Sequence, residues 1–252
     1  MPTSTGGNAI SYTWVLAAGF LLSAIWLAIQ PAQRWSAVRA RGADLIPAFA
    51  TAFSLGLVGA RLGFVIVNLH YFKLKPVESL WLWQGGLTGA GGVVGALLGI
   101  SLFSWLSRLP GKKLSDALAI PALVITVSTW IGSWIEGSVY GIRLEMAPAL
   151  LMARDMFGEL AGRWPAPLIG LIPAVAALIL VTRTSVEAWN PGCQASLAGC
   201  AVGLGILLAS LVRADPVPIL FQLRLDTISG LILTIAGLSA LLICYRGNKS
   251  GD

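Results

Sequence analysis

The sequence is poor in charge, in cysteine and in histidine, and each shortage argues against a class of protein. Only 11% of the 252 residues are charged, against about 25% in an average soluble domain. This excludes an ordinary soluble globule, and the high apolar content excludes a disordered chain. Three cysteines and a single histidine, His70, favour small buried thiols over a disulfide framework or a metal centre, so we expect no cofactor.

What the sequence has instead is long apolar runs, and 56% of its residues are hydrophobic. A membrane-spanning helix needs about 20 apolar residues, and seven runs are candidates for such helices. They cover residues 10–30, 45–69, 86–106, 117–135, 166–181, 195–212 and 227–245. The sequence therefore predicts an all-α polytopic membrane protein. We expect a single transmembrane domain over residues 1–252, with seven spanning helices and short interfacial helices.

Basic residues lie in the connectors between these runs rather than on one soluble face. The net charge of +6 therefore indicates membrane topology and contact with anionic headgroups, and we expect no nucleic-acid partner. Nine Lys and Arg residues fall on one side of the predicted bundle and seven on the other. Because cytoplasmic loops carry the excess, this distribution predicts an N-terminus outside and a C-terminus in the cytoplasm.

Two connectors on the predicted outer side mix apolar with charged residues. Trp81 and Trp83 follow two lysines and Glu78, which is typical of an interfacial stretch with an aromatic belt. Residues 146–163 combine an apolar pattern with two arginines and two acidic residues. This second stretch predicts an amphipathic helix on the outer surface.

Glycine is dense in the second and third runs. Gly59 and Gly63, and then Gly91, Gly95 and Gly99, recur every four residues, which is typical of helices that pack closely in lipid. Residues 85–92 contain five glycines. Such a segment can present backbone N–H groups to a phosphate at a helix N-terminus. It is equally consistent with a tight turn that enters a helix, and both interpretations stay open.

Arg61 is the clearest charge at membrane depth. It lies about 12 Å from the outer end of the second run at 1.5 Å per residue. Glu136 closes the fourth run, and the predicted topology puts both in the outer half of the bilayer. An ionisable residue at this depth indicates a functional site; the alternatives are a structural Arg–Glu pair or an arginine that extends to the headgroups. We expect Arg61 to be buried between helices, within reach of Glu136 or a lipid phosphate.

The order of these motifs resembles that of the prolipoprotein diacylglyceryl transferases, which are seven-span enzymes of the bacterial inner membrane. The resemblance covers most of the chain. It is carried by Gly-Ala-Arg-Leu-Gly-Phe at 59–64, then Tyr71, Pro76 and Glu78, then Trp-Gln-Gly-Gly-Leu at 83–87 and Gly-Gly at 91–92. It continues in Leu-Ser-Asp at 114–116, in the segment 130–141 that ends in Tyr-Gly, and in Ser-Gly-Leu at 229–231.

The chain departs from the family at several polar positions. The family's glycine loop carries a histidine where this chain has Ala90. The family signature reads Gly-Arg-Ile-Gly-Asn-Phe, followed by Asn, Gly and Glu. In this chain Trp130 replaces its arginine and Ser133 its first asparagine. Glu136 replaces the second asparagine and Ser138 the glutamate. The family's later His-Pro-Thr-Gln-Leu-Tyr-Glu motif corresponds here to Trp-Pro-Ala-Pro-Leu-Ile-Gly at 164–170.

The resemblance implies a site for phosphatidylglycerol, whose diacylglyceryl group the family transfers to a lipobox cysteine thiol while glycerol 1-phosphate leaves. The residues that carry over as lipid or phosphate ligands are Arg61, Gly85, Gly86, Gly91, Gly92, Tyr140 and Arg224. Arg61 and Glu136 are the candidate catalytic residues. The protein partners implied are a prolipoprotein or other membrane subunits.

The sequence leaves three functions open. The departures favour a catalytically degenerate member that binds lipid or serves as a subunit of a larger membrane complex. An active transferase with altered residues is the alternative. A small membrane transporter is the third, although the inverted repeat and paired broken helices typical of transporters are not visible in the sequence.

Overall fold

The computed structural model describes residues 12–29, 45–81, 86–145, 151–154, 158–184 and 189–246. Seven helices in these ranges are long and apolar enough to cross a membrane, which confirms the predicted all-α polytopic fold. In chain order these are α1 Tyr12–Ile29, α2 Leu45–Val67, α4 Gly89–Ser107, α6 Ala119–Glu136, α7 Ala166–Arg183, α8 Cys193–Val212 and α9 Leu225–Arg246.

Short elements connect the spanning helices. They are α3 Leu69–Leu74, a 3-10 helix at Pro76–Leu80, α5 Gly111–Ala117, and the strands β1 Met152–Arg154, β2 Leu160–Gly162, β3 Ile219–Leu220 and β4 Leu223–Arg224. The short helices agree with the expectation from sequence. Helix α6 ends at Glu136, and the next residue, Gly137, has φ of 68°, a left-handed conformation that glycine adopts without steric cost.

The amphipathic helix expected over residues 146–163 is wrong for the described part of that stretch. Strands β1 and β2 pair antiparallel there, with Met152 opposite Gly162 and Arg154 opposite Leu160. The backbone groups find partners across the chain rather than four residues along it: the N–H of Leu144 donates to the Gly162 carbonyl at 2.9 Å. Residues 146–150 and 155–157 lie outside the described residues.

Glycines bring two pairs of helices into backbone contact, as the four-residue spacing predicted for the first pair. Between α2 and α4, a Cβ atom added at Gly99 would lie 2.8 Å from the Ala52 Cα. Between α8 and α9, a Cβ atom at Gly230 would lie 2.6 Å from the Leu207 nitrogen. Such close approach maximises van der Waals contact in lipid, where no hydrophobic force drives helices together.

The bundle has two ends of different composition. One end, which we call the polar end, is where three helices finish and three begin. The helices that finish there are α2, α6 and α8, and those that begin there are α4, α7 and α9. The polar end contains Arg61, Tyr140, Arg163, Arg213 and Arg224. The opposite end contains α5 and the turn that precedes α8.

Asp116 joins these two elements at the opposite end of the bundle. Its carboxylate accepts hydrogen bonds from the N–H groups of Gly192 at 2.5 Å and Ala195 at 2.9 Å. Burial raises the pKa of Asp116, and the backbone hydrogen bonds oppose that rise. The contact ties α5 to the start of α8.

Candidate functional site

Arg61 is buried in α2, with 6% of its surface exposed. Its guanidinium donates three hydrogen bonds to backbone carbonyls: Nε to Ser79 at 2.9 Å, Nη2 to Glu78 at 2.6 Å and Nη1 to Gly86 at 3.2 Å. Its Cζ also lies 5.6 Å from the Phe64 ring centroid. Arg61 therefore fastens the connector between α2 and α4 onto the side of α2.

A small group of polar side chains lies in the same connector. The Tyr71 hydroxyl donates to Glu78 Oε2 at 2.5 Å, and Lys75 Nζ lies 3.1 Å from Glu78 Oε1. The hydrogen bond from Tyr71, followed by that from Lys75, lowers the pKa of the Glu78 carboxyl. Glu78 is therefore an ionised, hydrogen-bonded group, and its backbone carbonyl serves Arg61 at the same time.

The glycine segment that leads into α4 and forms its first turn lets backbones approach closely. A Cβ atom at Gly86, where φ is +76°, would lie 2.5 Å from the Phe64 ring, and one at Gly91 would collide with the Gly59 carbonyl. Gly92 also faces α2, since a Cβ atom added there would lie 3.6 Å from the Ala60 Cβ. At Gly86 it is a carbonyl, not an N–H, that faces the Arg61 guanidinium. Gly85 lies outside the described residues.

An extended segment over residues 140–144 joins the residues that precede α7 to those at the end of α8. The Tyr140 carbonyl accepts from the Ala214 N–H at 2.9 Å, and the Ile142 carbonyl accepts from the Trp164 N–H at 3.0 Å. Arg163, which is 4% exposed, places its Cζ 4.9 Å from the Tyr140 ring centroid. Tyr140 is thus held beside a buried cation, next to the residues that follow α8.

Arg224 belongs to a network of two arginines and two aspartates. Arg213 makes a bidentate contact with Asp215, at 2.8 and 2.6 Å, and reaches Asp226 at 3.2 Å. Arg224 Nε lies 3.2 Å from Asp226 Oδ1, and Arg224 Nη2 lies 3.6 Å from Asp215 Oδ1. The Asp215 carboxylate is 9% exposed, and the Arg224 side chain is 24% exposed. The network is neutral as a whole.

Sequence reasoning identified only one member of this network. The sequence pattern that could have indicated the network is a repeated spacing, Arg-x-Asp at 213–215 and again at 224–226. This spacing puts a carboxylate two residues after each arginine. Burial alone would lower the pKa of Arg213, but the hydrogen bond and charge of Asp215 and the charge of Asp226 outweigh it and raise the pKa. Arg213 therefore stays charged inside the network.

Glu136 belongs to a different helix pair from Arg61. It is exposed at the last residue of α6, a helix that packs on α1 and α7, whereas α2 packs on α4. The structure thus places both residues at the polar end, while the hydrogen bonds described for Arg61 go to carbonyls. Glu136 stays a candidate base by sequence position only.

Trp130 occupies the space between three helices. It is 8% exposed, and a Cβ atom at Gly170 of α7 would lie 2.5 Å from its ring. A Cβ atom at Gly205 of α8 would lie 3.6 Å from its Nε1. One turn along α6, the Ser133 hydroxyl donates to the Thr129 carbonyl of its own helix at 2.9 Å. An indole therefore fills the contact of α6, α7 and α8.

Comparison with known proteins agrees with the resemblance noted in the sequence. A family model for prolipoprotein diacylglyceryl transferase matches residues 6–243. A phosphatidylglycerol–prolipoprotein diacylglyceryl transferase of Thermus thermophilus is 31% identical over 197 residues, which are 77% of this chain and 67% of that protein.

Two further relatives carry the same description. The protein of Lactococcus lactis is 28% identical over 181 residues, 70% of this chain and 67% of its own. The protein of Fusobacterium nucleatum is 32% identical over 100 residues, 39% of this chain and 35% of its own. The chain therefore aligns with between 35% and 67% of the length of these relatives.

Proposed function

Because the chain belongs to the prolipoprotein diacylglyceryl transferase family, we propose that it binds phospholipid at the polar end but transfers diacylglyceryl groups weakly or not at all. Family membership and seven apolar helices make it a multi-pass protein of the bacterial inner membrane. Phosphatidylglycerol is the lipid we propose. A prolipoprotein or another membrane subunit is the proposed protein partner.

The observation that carries this proposal is the position of Trp130. By the motif resemblance, the family has an arginine here. A buried indole against Gly170 and Gly205 brings neither the positive charge nor the fork of N–H donors that an arginine offers to a phosphate. It also fills volume that a headgroup pocket would use. Loss of even one preorganised donor typically lowers a rate by about 10²–10³.

Three arginines of the polar end support the proposal because the protein itself engages them. Arg213 and Arg224 lie in a neutral network with two carboxylates. Arg61 uses at least three of its donors on backbone carbonyls. Carbonyls do not cancel its charge, so Arg61 is the residue that we propose to attract the lipid phosphate.

Activation of the thiol is the step that this site is least equipped for. A cysteine thiol has a pKa of about 8.5, so only a few per cent is thiolate at neutral pH. Glu136 is exposed at a helix end, and His70 is exposed on the short helix α3. Among the hydrogen bonds that the structure describes, none joins either residue to an arginine of the polar end. Neither residue is therefore a strong candidate for the base.

The experiment is a direct assay of the purified protein with phosphatidylglycerol and a lipobox peptide, in which release of glycerol phosphate is measured. A family member that retains the histidine and the arginine of the two motifs serves as the active reference. We expect release at least 10³-fold below the reference. Turnover within tenfold of the reference would contradict the proposal and favour the active alternative, and Glu136→Gln would then be the first variant to test.

Lipid binding is tested separately, by measuring the phosphatidylglycerol that copurifies with the protein. Arg61→Gln should lower the bound lipid, whereas the matched variant Arg143→Gln should not. Arg143 is exposed and pairs with the equally exposed Glu159, so its charge is screened. Equal loss of lipid in both variants would contradict the assignment of Arg61.

We also propose that the polar end faces outward, with the N-terminus outside, as the Lys and Arg distribution predicts. In a cysteine-free background, single cysteines at Lys112 and Glu159 report the two ends with a membrane-impermeant thiol reagent. We expect labelling of position 159 in intact cells and of position 112 only after permeabilisation. The reverse pattern would invert the orientation.

A further inference from the structure

A groove of about 600 Å³ lies at the opposite end of the bundle, between the last turns of α4 and the short helix α5. Its walls include Ile100, Ser101, Ser104, Trp105, Arg108 and Ser115. We propose that this groove binds the phosphate headgroup of an anionic phospholipid. The site is distinct from the polar end, and the inference is independent of the proposed function.

The shape of the groove is set by the corner that ends α4. Arg108 adopts a left-handed conformation with φ of 53°, and the Leu109 N–H turns back to the Ser104 carbonyl at 3.0 Å. The Ser104 hydroxyl in turn donates to the Leu109 carbonyl at 2.8 Å. These bonds hold the corner at Arg108, which lines an open cleft together with Ser101, Ser104 and Ser115.

Arg108 is the one charged side chain among the described residues that line the groove. Lys113 is exposed five residues further along the chain, whereas the side chain of Lys112 lies beside Gly192 at the start of α8. The acidic residue of α5, Asp116, is buried and accepts the N–H groups of Gly192 and Ala195 on the side of α8. Cations near the membrane surface attract anionic headgroups, and an arginine offers a phosphate several N–H donors at once.

The apolar wall indicates a lipid rather than a free anion. Trp105 is 75% exposed, and it lines the groove together with Ile100, which packs inward on the core. Helix α4 ends at Ser107, so the groove sits where a spanning helix leaves the hydrocarbon, the depth at which tryptophan is enriched. A phosphate at Arg108 would leave an acyl chain free to lie against Trp105, which inorganic phosphate cannot do.

The test uses brominated lipids, because bromine on an acyl chain quenches a nearby tryptophan. The full-length protein is placed in phosphatidylcholine nanodiscs with increasing brominated phosphatidylglycerol. Quenching of Trp105 is obtained as the difference between the wild type and Trp105→Phe, and this readout is local to the groove. We expect saturable quenching, and Arg108→Asn should weaken it about tenfold, the change that follows loss of one charge-assisted hydrogen bond.

Matched variants separate the site from general effects. Asparagine tolerates a left-handed backbone, so Arg108→Asn removes the charge without straining the corner. Arg183→Asn removes an exposed charge of α7 and should leave quenching unchanged. Should Arg108→Asn fail to fold, Ser101→Phe fills the groove and should abolish saturable quenching, whereas Ser107→Phe on the same helix should not.

Three results would overturn the proposal. Equal quenching by brominated phosphatidylcholine would mean non-selective lipid contact. Unchanged quenching in Arg108→Asn would exclude the phosphate contact at that residue. Displacement of the brominated lipid by millimolar inorganic phosphate would identify a free anion as the occupant.

Discussion

Arg61 is buried at the polar end and Arg213 is partly buried there, with 15% of its side chain exposed, and the protein compensates their charges in opposite ways. Arg213 faces carboxylates, with Asp215 at 2.6 Å and Asp226 at 3.2 Å. Arg61 faces backbone carbonyls of Glu78, Ser79 and Gly86 and the faces of aromatic rings. Two carboxylates cancel the charges of two arginines, whereas carbonyl dipoles and rings stabilise a charge without cancelling it.

We propose that this difference separates a structural role, that of the Arg213 network, from a lipid-binding role, that of Arg61. The neutral network joins the end of α8 to the start of α9, and its two carboxylates balance the charges of Arg213 and Arg224. The charge of Arg61 is not cancelled by its carbonyl partners, and for this reason we propose that its region binds a phosphate. Substitutions at Asp215, Arg61 and Tyr71 test this contrast, and their expected effects decrease in that order.

Asp215→Asn should destabilise the protein most, by about 3 kcal/mol, because it leaves two arginines with one carboxylate in a largely buried site. The free energy of unfolding can be measured by denaturant titration in detergent micelles. The control is Glu159→Gln, which breaks an ion pair whose side chains are more than half exposed and should cost below about 1 kcal/mol. Equal effects of the two variants would show that burial of the network is energetically unimportant.

Arg61→Met should cost about 2 kcal/mol, since it removes hydrogen bonds from a charged donor to three carbonyls. Arg61→Lys keeps the charge but cannot reproduce the planar fork, so it should be destabilised while retaining more bound phosphatidylglycerol than Arg61→Met. The same unfolding titration and a count of copurified lipid check both points. If both variants lose the lipid equally, geometry rather than residual charge governs binding.

Tyr71→Phe should have the smallest effect on stability and should change how the stability depends on pH. The Tyr71 hydrogen bond is the leading cause that lowers the pKa of Glu78 below its usual value of 4.5. A lowered carboxyl pKa stabilises the fold above the unfolded pKa, and the stabilisation is lost as pH falls through the folded pKa. Without the hydroxyl, the Glu78 pKa should rise and the loss should begin at higher pH. Carboxyl carbon shifts in an NMR titration measure this; an unchanged midpoint would contradict it.

The local sequence pattern was sufficient to predict the spanning helices, but it was insufficient to predict which residues contact one another between them. The run 45–69 became α2, Leu45–Val67, and the run 195–212 became α8, Cys193–Val212, because the thickness of a bilayer sets the length of a helix. Arg224 was identified by its place before the last span, but its partners Asp215 and Asp226 were not. The described part of the stretch 146–163 is not a helix because its two ends pair with each other as antiparallel strands, Met152–Arg154 with Leu160–Gly162.

The sequence by itself determined that this chain is a bundle of seven spanning helices and, by its motifs, which family it resembles. Both follow from features that a single segment carries: apolar length, glycine spacing and an ordered set of short motifs. Only the tertiary structure decided that Arg61 binds carbonyls, that Arg224 lies in a neutral network, and that Trp130 fills the contact of α6, α7 and α8. Those outcomes depend on which groups from distant segments meet, because the state of a buried charge or ring is set by its neighbours in space.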